Sequence, residues 1–397
     1  MSKPMTAADT KLFPVCGEPP AADRSRAFAR ARQHVDLAAW RLGLEDGMRH
    51  ILRTPQRQLT VQLPVRHDDG RLATYTGFRV QHSLARGPVL GGLRYCAELT
   101  LEDICAVAMR ATWQCAAANL PFGGAAGGVL IDPGNLSPAE LERVTRRYAT
   151  EIAPLLGRER DILAAGAGTS PDVIAWAMDT FSMQRGHTVP AVAVGKPLAV
   201  GGSQGHDLGA RGVVAVLREV AAARGIDLHG ARAVVAGAAP GEQALVPLMR
   251  DLGASVAELP AEAALGHHCD ILLLGGQVPV LGAVEALEIR ADLVVEAGGM
   301  VDVEADWVLE ARGATVIPDV LTGAGQVAAS YFEWVQGLQQ FLWTSREVYA
   351  QLDRLAADAA RQALQIADAR RLSLRAGVLV LAVGRVVEAI VARGIYP

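Results

Sequence analysis

Lysine is scarce in this chain. Of its 38 basic residues only Lys3, Lys11 and Lys196 are lysines, and the rest are arginines. The stretch between Lys11 and Lys196 therefore contains no ammonium side chain. Chemistry that depends on such a group in the first half of the fold has none to use there.

Cysteine is scarce as well, and its spacing is not that of metal ligands. The run His267-His268-Cys269 is interpreted as a loop before a buried strand, because adjacent residues rarely share one metal site. We therefore predict no metal. An odd, scattered set of cysteines without a secretory signal indicates reduced thiols and a cytoplasmic location. The five are Cys16, Cys96, Cys105, Cys115 and Cys269.

Long apolar runs and a strong net charge are also absent. No apolar stretch reaches the ~18 residues that span a bilayer. The formal net charge of -4 gives no sign of a nucleic-acid or membrane partner. At 397 residues, of which 51% are hydrophobic, the chain is long enough for two globular domains. Residues 1–24, rich in alanine, proline and small polar types, are predicted to form a loose tail.

Local patterns in the first half predict a mixture of helices and strands. Helical spacing of apolar residues covers 25–53, and paired strands are expected over 57–66 and 73–81. Thr100, with an acid at its third helical position, and Ser137, followed by proline, are typical helix N-caps. The Thr100 helix is expected to extend to about residue 118.

A second domain is expected to begin near residue 205. Short apolar strands there alternate with helices, which is typical of a doubly wound parallel sheet. The predicted fold class is therefore α/β with two domains: an N-terminal α/β oligomerisation domain and a Rossmann-like domain. The C-terminal helices are expected to return to the first domain. The boundaries are 25–204 plus 345–397 for the first domain and 205–344 for the second.

Six strings of residues carry a resemblance to a known family. They include Gly-Phe-Arg-Val-Gln-His at 77–82, Leu-Pro-Phe-Gly-Gly-Ala-Ala-Gly-Gly at 120–128 and Ser-Tyr-Phe-Glu-Trp-Val-Gln at 330–336. In order and spacing, over about residues 30–395, the chain resembles the glutamate/leucine/phenylalanine/valine dehydrogenases and is most similar to their glutamate dehydrogenase branch. The resemblance implies a hexamer assembled through the first domain. The remaining strings lie at 87–95, 186–190 and 195–198.

The resemblance also implies four charged positions that this chain fills with neutral residues. Leu90 stands where the family has a lysine for the substrate side-chain carboxylate, and Gln114 where a lysine holds the α-carboxylate. Ala126 replaces the catalytic lysine, and Gly166 replaces the acid/base aspartate. Loss of a proton-transfer group typically costs ~10²–10⁴ in rate. We therefore predict no catalytic residues, and a vestigial cleft at Leu90, Gln114 and Ser330, of which Ser330 is expected to cap a helix.

The nucleotide-binding turn of the family is altered as well. The turn at 237–241 reads Gly-Ala-Ala-Pro-Gly, with Ala239 at the second glycine of the dinucleotide pattern and Pro240 lacking an N–H donor. The ribose-binding acid aligns with Ala261, although Glu258 and Glu262 lie nearby. We predict no cofactor-binding residues and weak or absent NAD(P) binding.

These features lead to a prediction of function. The chain is expected not to be an enzyme but a non-catalytic regulatory subunit that joins a catalytic glutamate dehydrogenase paralogue in a homo- or hetero-hexamer. Leucine is the preferred effector, held by Arg147 and Asp179, because the resemblance implies a leucine site with an arginine and an acid there. Two alternatives stay open: an NAD(P)-dependent amino-acid dehydrogenase with altered specificity, and a metabolite-binding protein that uses the vacated cleft.

Overall fold

The structure is a computed structural model that describes residues 27–203, 207–239 and 242–395. The predicted tail over 1–24 lies outside these residues, as does the pair 240–241 of the nucleotide turn. Two sheets organise the fold, and helices pack on both, as the α/β prediction requires. Within the described ranges no helix is both long enough and apolar enough to cross a membrane.

The first sheet is mixed and has six strands in the order β1-β2-β4-β3-β5-β6. The predicted strand pair is confirmed: β1 and β2 run antiparallel in a register from Arg57 opposite Gln81 to Arg66 opposite Leu72. β3 runs parallel to β4 and β5 and is the interior strand that positions the site described below. The strands are β1 Arg57–Arg66, β2 Leu72–Gln81, β3 Val89–Tyr95, β4 Gly123–Val129, β5 Asp161–Ala165 and β6 Ala193–Val194.

Helices cover this sheet, and their starts follow the predicted caps. Thr100 and Ser137 each form a capping box with the acid three residues on. The region 25–53, for which helical spacing was expected, contains two helices, and Gly43 takes a left-handed φ of 66° between them. The helices are α1 Ala27–Arg41, α2 Asp46–Arg53, α3 Leu101–Ala117, α4 Pro138–Ile152 and α5 Pro171–Arg185.

The second sheet is entirely parallel, with the order β11-β10-β9-β7-β8. Its strands β9 and β10 are fully buried and, apart from Glu296, apolar, as parallel sheets covered on both faces require. The doubly wound prediction is confirmed. The strands are β7 Arg232–Ala236, β8 Ser255–Leu259, β9 Ile271–Leu274, β10 Leu293–Glu296 and β11 Thr315–Ile317; the helices are α6 Leu208–Ala223, α7 Leu245–Asp251, α8 Ala261–Leu265, α9 Ala283–Glu288, α10 Val303–Ala311 and α11 Asp319–Thr322.

Three long helices complete the fold: α12 Ala324–Gln339, α13 Ser345–Arg370 and α14 Leu374–Arg393. α13 packs on α6 beside the second sheet, whereas α14 packs on α1 and α3 beside the first. The buried Arg375 of α14 donates to the Glu296 carboxylate of β10 at 2.9 Å, so the last helix is also tied to the second sheet. The division of these helices between two domains stays a prediction.

A buried ion pair crosses the first sheet. Arg79 of β2 and Asp161 of β5 are both fully buried, and the Arg79 Nε donates to Asp161 Oδ2 at 3.1 Å. Arg79 Nη1 also donates to the Gly91 carbonyl oxygen at 3.1 Å. Burial alone would lower the pKa of Arg79, but the Asp161 carboxylate keeps that pKa above its ordinary value. The pair therefore fixes β3, the strand that carries Leu90, relative to β2 and β5.

Candidate functional site

Leu90 lies on β3, opposite Gly124 of β4 and Ile162 of β5. Its side chain is 3% exposed and belongs to the apolar core that includes Met109 and Trp113 of α3. The position at which the family has a lysine for the substrate carboxylate is therefore part of a packed interior in this chain. A single added charge there would have to be buried without a partner, which is costly.

The glycine-rich segment that carries Ala126 is a strand and not a loop. All seven residues of β4 are buried, and β4 pairs with both β2 and β3. Glycine is required because helices approach closely: a Cβ at Gly124 would lie 2.2 Å from the Thr112 nitrogen, and one at Gly127 would lie 2.3 Å from the Tyr148 hydroxyl. Ala126 is fully buried in a small apolar cluster beside α3.

Gly166 begins the turn that follows β5. Its N–H donates to the Thr169 hydroxyl at 2.9 Å, and that hydroxyl donates to the Gly166 carbonyl oxygen at 2.8 Å. A Cβ at Gly166 would lie 2.5 Å from the Leu93 carbonyl oxygen. The turn is therefore built around the absence of a side chain, and the backbone would have to move to hold an aspartate at this position.

Gln114 reaches from α3 towards the segment that follows β11. Its Nε2 donates to the Asp319 carbonyl oxygen at 3.2 Å. A Cβ at Gly323 would lie 2.2 Å from the same Nε2, so Gln114 fills the space that a side chain at 323 would need. Arg110, one turn earlier on α3, contacts the Asp319 carboxylate at 3.5 Å. These contacts join α3 to α11, and we refer to them as the α3–α11 contact.

The fit between Gln114 and Gly323 predicts energetic coupling. Gly323 has an ordinary helical φ of −67°, so its φ does not disfavour Gly323→Ala. The new Cβ would clash with Gln114 and, at 2.8 Å, with the Asp319 carbonyl oxygen, and only the first of these clashes is relieved by changing Gln114. We expect Gly323→Ala to destabilise the chain, and to do so less when Gln114→Ala is present, with a coupling of ~0.5–3 kcal/mol. Denaturant unfolding of the two single variants, the double variant and the parent measures this coupling.

Gly384 on α14 provides the matched control, because a Cβ there meets nothing within 4 Å. Gly384→Ala is expected to leave stability unchanged or to raise it. Strictly additive effects of Gly323→Ala and Gln114→Ala would show that the two positions do not interact.

Ser330 is not a helix cap, which corrects the prediction. It lies inside α12, and its hydroxyl donates to the Gln326 carbonyl oxygen one turn earlier at 3.1 Å. Three residues on, Glu333 forms a buried ion pair with Lys196 at 2.6 Å. Burial lowers the pKa of Lys196, and Glu333 opposes this. Both residues lie in strings that resemble the family, and the spacing of these strings along the chain does not indicate that they meet.

The predicted effector residues lie on neighbouring helices but do not contact each other in this chain. Arg147 of α4 pairs with Glu151 at 2.6 Å and has a side chain that is 45% exposed. Asp179 of α5 pairs with Arg146 at 2.7 Å and is 51% exposed. α4 and α5 pack against each other. Both residues are therefore accessible, and each holds an intramolecular partner that a ligand would have to replace.

The nucleotide turn lies where parallel strands end in the second sheet. β7 pairs with β8 on one side and β9 on the other, and ligands of such sheets bind at this kind of switch point. Gly237 leaves β7 with a left-handed φ of 54°. Of the ribose-site candidates, Ala261 begins the short α8, and Glu258 and Glu262 are exposed.

A carboxylate of the chain itself occupies this turn. Glu242 Oε2 accepts hydrogen bonds from the Ala239 N–H at 2.9 Å and the Gly276 N–H at 2.8 Å. As arranged here, the turn does not fit the pyrophosphate of a dinucleotide, because these donors are engaged by another anion. The role of Glu242 is not evident from the sequence, because one of its two partners, Gly276, is 34 residues away. Nowhere in the described ranges do three or more His, Cys, Asp or Glu cluster as metal ligands.

Comparison with known proteins identifies the family. Residues 55–183 match the model of the Glu/Leu/Phe/Val dehydrogenase dimerisation domain, and residues 249–394 match that of Glutamate/Leucine/Phenylalanine/Valine dehydrogenase. The chain belongs to this family. It is 37% identical to the glutamate dehydrogenase of Thermotoga maritima, covering 93% of this chain and 99% of that protein. It is 34% identical to NAD-specific glutamate dehydrogenase A of Halobacterium salinarum, covering 94% of each.

Solved structures of the family share the fold. The hetero-hexameric glutamate dehydrogenase of Thermus thermophilus in its leucine-bound form is 35% identical, with a TM-score of 0.88 over 96% of this chain and 100% of that one. The glutamate dehydrogenase of Peptoniphilus asaccharolyticus is 30% identical, with a TM-score of 0.84 over 93% of this chain and 100% of that one. The predicted resemblance to glutamate dehydrogenases and the two-domain α/β fold are confirmed.

The prediction that the chain is not an enzyme is wrong. Relatives that are 34% and 37% identical over nearly its whole length are named glutamate dehydrogenases, which are enzymes. The neutral residues Ala126 and Gly166 do not justify the prediction of inactivity, for a physical reason. Proton-transfer groups typically supply ~10²–10⁴ in rate, whereas enzymes accelerate reactions by roughly 10⁶–10¹⁷. Neutral residues at these positions therefore do not by themselves establish the absence of activity.

Proposed function

We propose that this chain is a regulatory subunit of a hetero-hexameric glutamate dehydrogenase. In this assembly it joins a paralogue that has the charged groups of the family and modulates that paralogue in response to leucine. The observation that carries the proposal is the neutral set Leu90, Gln114, Ala126 and Gly166 within an otherwise typical family fold. A hexamer built from both chains contains two kinds of cleft that differ in charge.

The similarity to a hetero-hexamer supports this assembly. The Thermus thermophilus structure is of a hetero-hexameric glutamate dehydrogenase with leucine bound, and this chain aligns with all of the compared chain.

The four cysteines within the described residues are free and buried, which fits the cytoplasmic location that the proposal assumes.

Regulation of a neighbouring subunit requires only a modest coupling free energy between the effector site and the site on that subunit. A coupling free energy of ~1–3 kcal/mol between two sites changes an affinity about 5–150-fold. In this chain the two sheets are joined through the α3–α11 contact and through the buried pair of Arg375 and Glu296. A ligand that binds the first domain and shifts these contacts would alter how the subunit packs against a neighbour.

Leucine suits the surface that contains Arg147 and Asp179. A zwitterion needs an opposite charge at each end, and both side chains are about half exposed. Met183 lies one helical turn after Asp179 and is 74% exposed, so an apolar side chain is available beside the charged pair. Arg146 and Glu151 are the groups that the bound amino acid displaces.

A second candidate function is an NAD(P)-dependent amino-acid dehydrogenase with altered specificity. Two observations favour this function. Relatives of the chain are named as glutamate dehydrogenases. Leu90 is apolar, at the position where the family has a lysine for the side-chain carboxylate of the substrate. This function requires a dinucleotide to bind at the turn that Glu242 now occupies.

Coexpression with a paralogue tests the proposal. The tagged chain is expected to elute with the paralogue in one assembly of hexameric mass, and leucine is expected to activate glutamate oxidation more strongly there than in the paralogue alone. Light scattering and steady-state kinetics measure both results. A chain that assembles only with itself, turns over an amino acid and ignores the paralogue would favour the second candidate.

A further inference from the structure

Glu242 lies immediately after the nucleotide turn of the second domain. Its Oε2 accepts the N–H groups of Ala239 and Gly276, at 2.9 and 2.8 Å. These two donors follow the carboxyl ends of β7 and β9, which are neighbours in the sheet. Two backbone donors at the switch point of the sheet therefore converge on one carboxylate of the same chain.

The second carboxylate oxygen lies against a third strand end. A Cβ at Gly298, after β10, would lie 1.9 Å from Glu242 Oε1, and a Cβ at Gly276 would lie 3.2 Å from it. Glycine at these two positions therefore leaves room for the carboxylate. Burial raises the pKa of Glu242, and the N–H groups of Ala239 and Gly276 oppose this rise. The environment is thus a small backbone cradle of the kind that binds anions.

A phosphate group and Glu242 cannot share this cradle. Backbone N–H groups at the end of the first strand are the donors that hold a pyrophosphate in dinucleotide-binding folds. Here the described donors, the N–H groups of Ala239 and Gly276, are satisfied by an internal anion. A diphosphate placed at the same N–H groups would meet the like charge of the carboxylate within a few ångströms.

We propose that Glu242 is an internal substitute for a ligand's phosphate, and that it sets the specificity of this site by excluding diphosphate groups until it is displaced. The ligand class of the underlying cradle is a nucleotide diphosphate. The inference does not depend on the subunit role proposed above, because it concerns binding to the purified chain alone.

The test removes the carboxylate and adds inorganic pyrophosphate or NADH to the purified chain. Calorimetry and thermal unfolding are expected to show little effect of either ligand on the parent protein. Glu242→Ala is expected to bind pyrophosphate at least about tenfold more tightly and to be stabilised by it, because two charge-assisted donors are freed. Glu242→Gln keeps a hydrogen-bond acceptor and loses the charge, so its affinity for pyrophosphate is expected to lie between those of the parent and Glu242→Ala. Glu304→Gln, an exposed carboxylate on α10, serves as the control.

Hydrogen exchange at the two amides distinguishes this role from simple support of the turn. Exchange at Ala239 and Gly276 is expected to be slow in the parent, fast in Glu242→Ala, and slow again when pyrophosphate is added. Fast exchange that pyrophosphate does not reverse would assign Glu242 a structural role only and overturn the proposal. Tight NADH binding by the parent would also overturn it. If Glu242→Ala does not fold, the pyrophosphate affinity of Glu242→Gln tests the proposal: tighter binding than by the parent supports it, and equal or weaker binding overturns it.

Discussion

Asp161→Asn is expected to destabilise the chain by about 3–5 kcal/mol, because it leaves the guanidinium of Arg79 buried without a counter-charge. Both side chains are fully buried, and Asp161 also accepts a hydrogen bond from Gln81 Nε2 at 2.8 Å. The Arg79 side chain crosses the sheet to the Gly91 carbonyl oxygen, next to Leu90. Loss of the pair is therefore expected to loosen the strand that carries the candidate site. Chemical denaturation at fixed protein concentration measures the effect.

Two further variants make this result interpretable. Asp270→Asn removes a carboxylate from a partly exposed pair with Arg232, whose side chains are 31% and 55% exposed respectively, and a much smaller loss is expected. Replacing both buried partners by apolar residues, Arg79→Met with Asp161→Leu, is expected to recover part of the stability, since no charge then stays unpaired. Equal losses for Asp161→Asn and Asp270→Asn would contradict the assignment of Arg79 and Asp161 as a buried, energetically coupled pair.

Features with local physical causes were predictable from the sequence. Thr100 and Ser137 cap helices because each side chain accepts from a backbone N–H three residues on. The pairing of β1 with β2 follows from alternation around a short turn. Gly43, in contrast, divides a helix whose apolar spacing continues across it, so the break at this position was missed.

Features that depend on tertiary packing were not predictable. Glycine is unfavourable in strands, so the sequence around Ala126 does not indicate β4, whereas the close approach of α3 and Tyr148 makes glycine necessary there. Glu242 was missed because its partners follow different strands. Ser330 lies inside α12 and not at its start, and the beginning of that helix at Ala324 has no side-chain cap to mark it. For Ala126 and Glu242, the deciding neighbours include residues that are distant in sequence.

The predicted leucine site depends on two surface ion pairs that a ligand must open. Asp179 now accepts from Arg146, and Arg147 contacts Glu151, so neither group is free in the absence of ligand. Exposed pairs of this kind are each worth little, ~0–1 kcal/mol. Leucine can therefore exchange them for its own two charges at small cost, provided that its side chain reaches apolar surface such as Met183.

Arg147→Ala is expected to abolish most of the leucine response of the mixed assembly while leaving the assembly intact. Loss of a hydrogen bond to a charged group costs ~1.5–3 kcal/mol, which corresponds to about 10–100-fold weaker leucine binding. Leucine titrations of glutamate oxidation by the copurified complex measure this shift. Arg143→Ala, one turn earlier on α4 and paired with Asp68, is the control and should leave the response unchanged. Loss of response in both variants would indicate general damage to α4, and full response in Arg147→Ala would place the effector elsewhere.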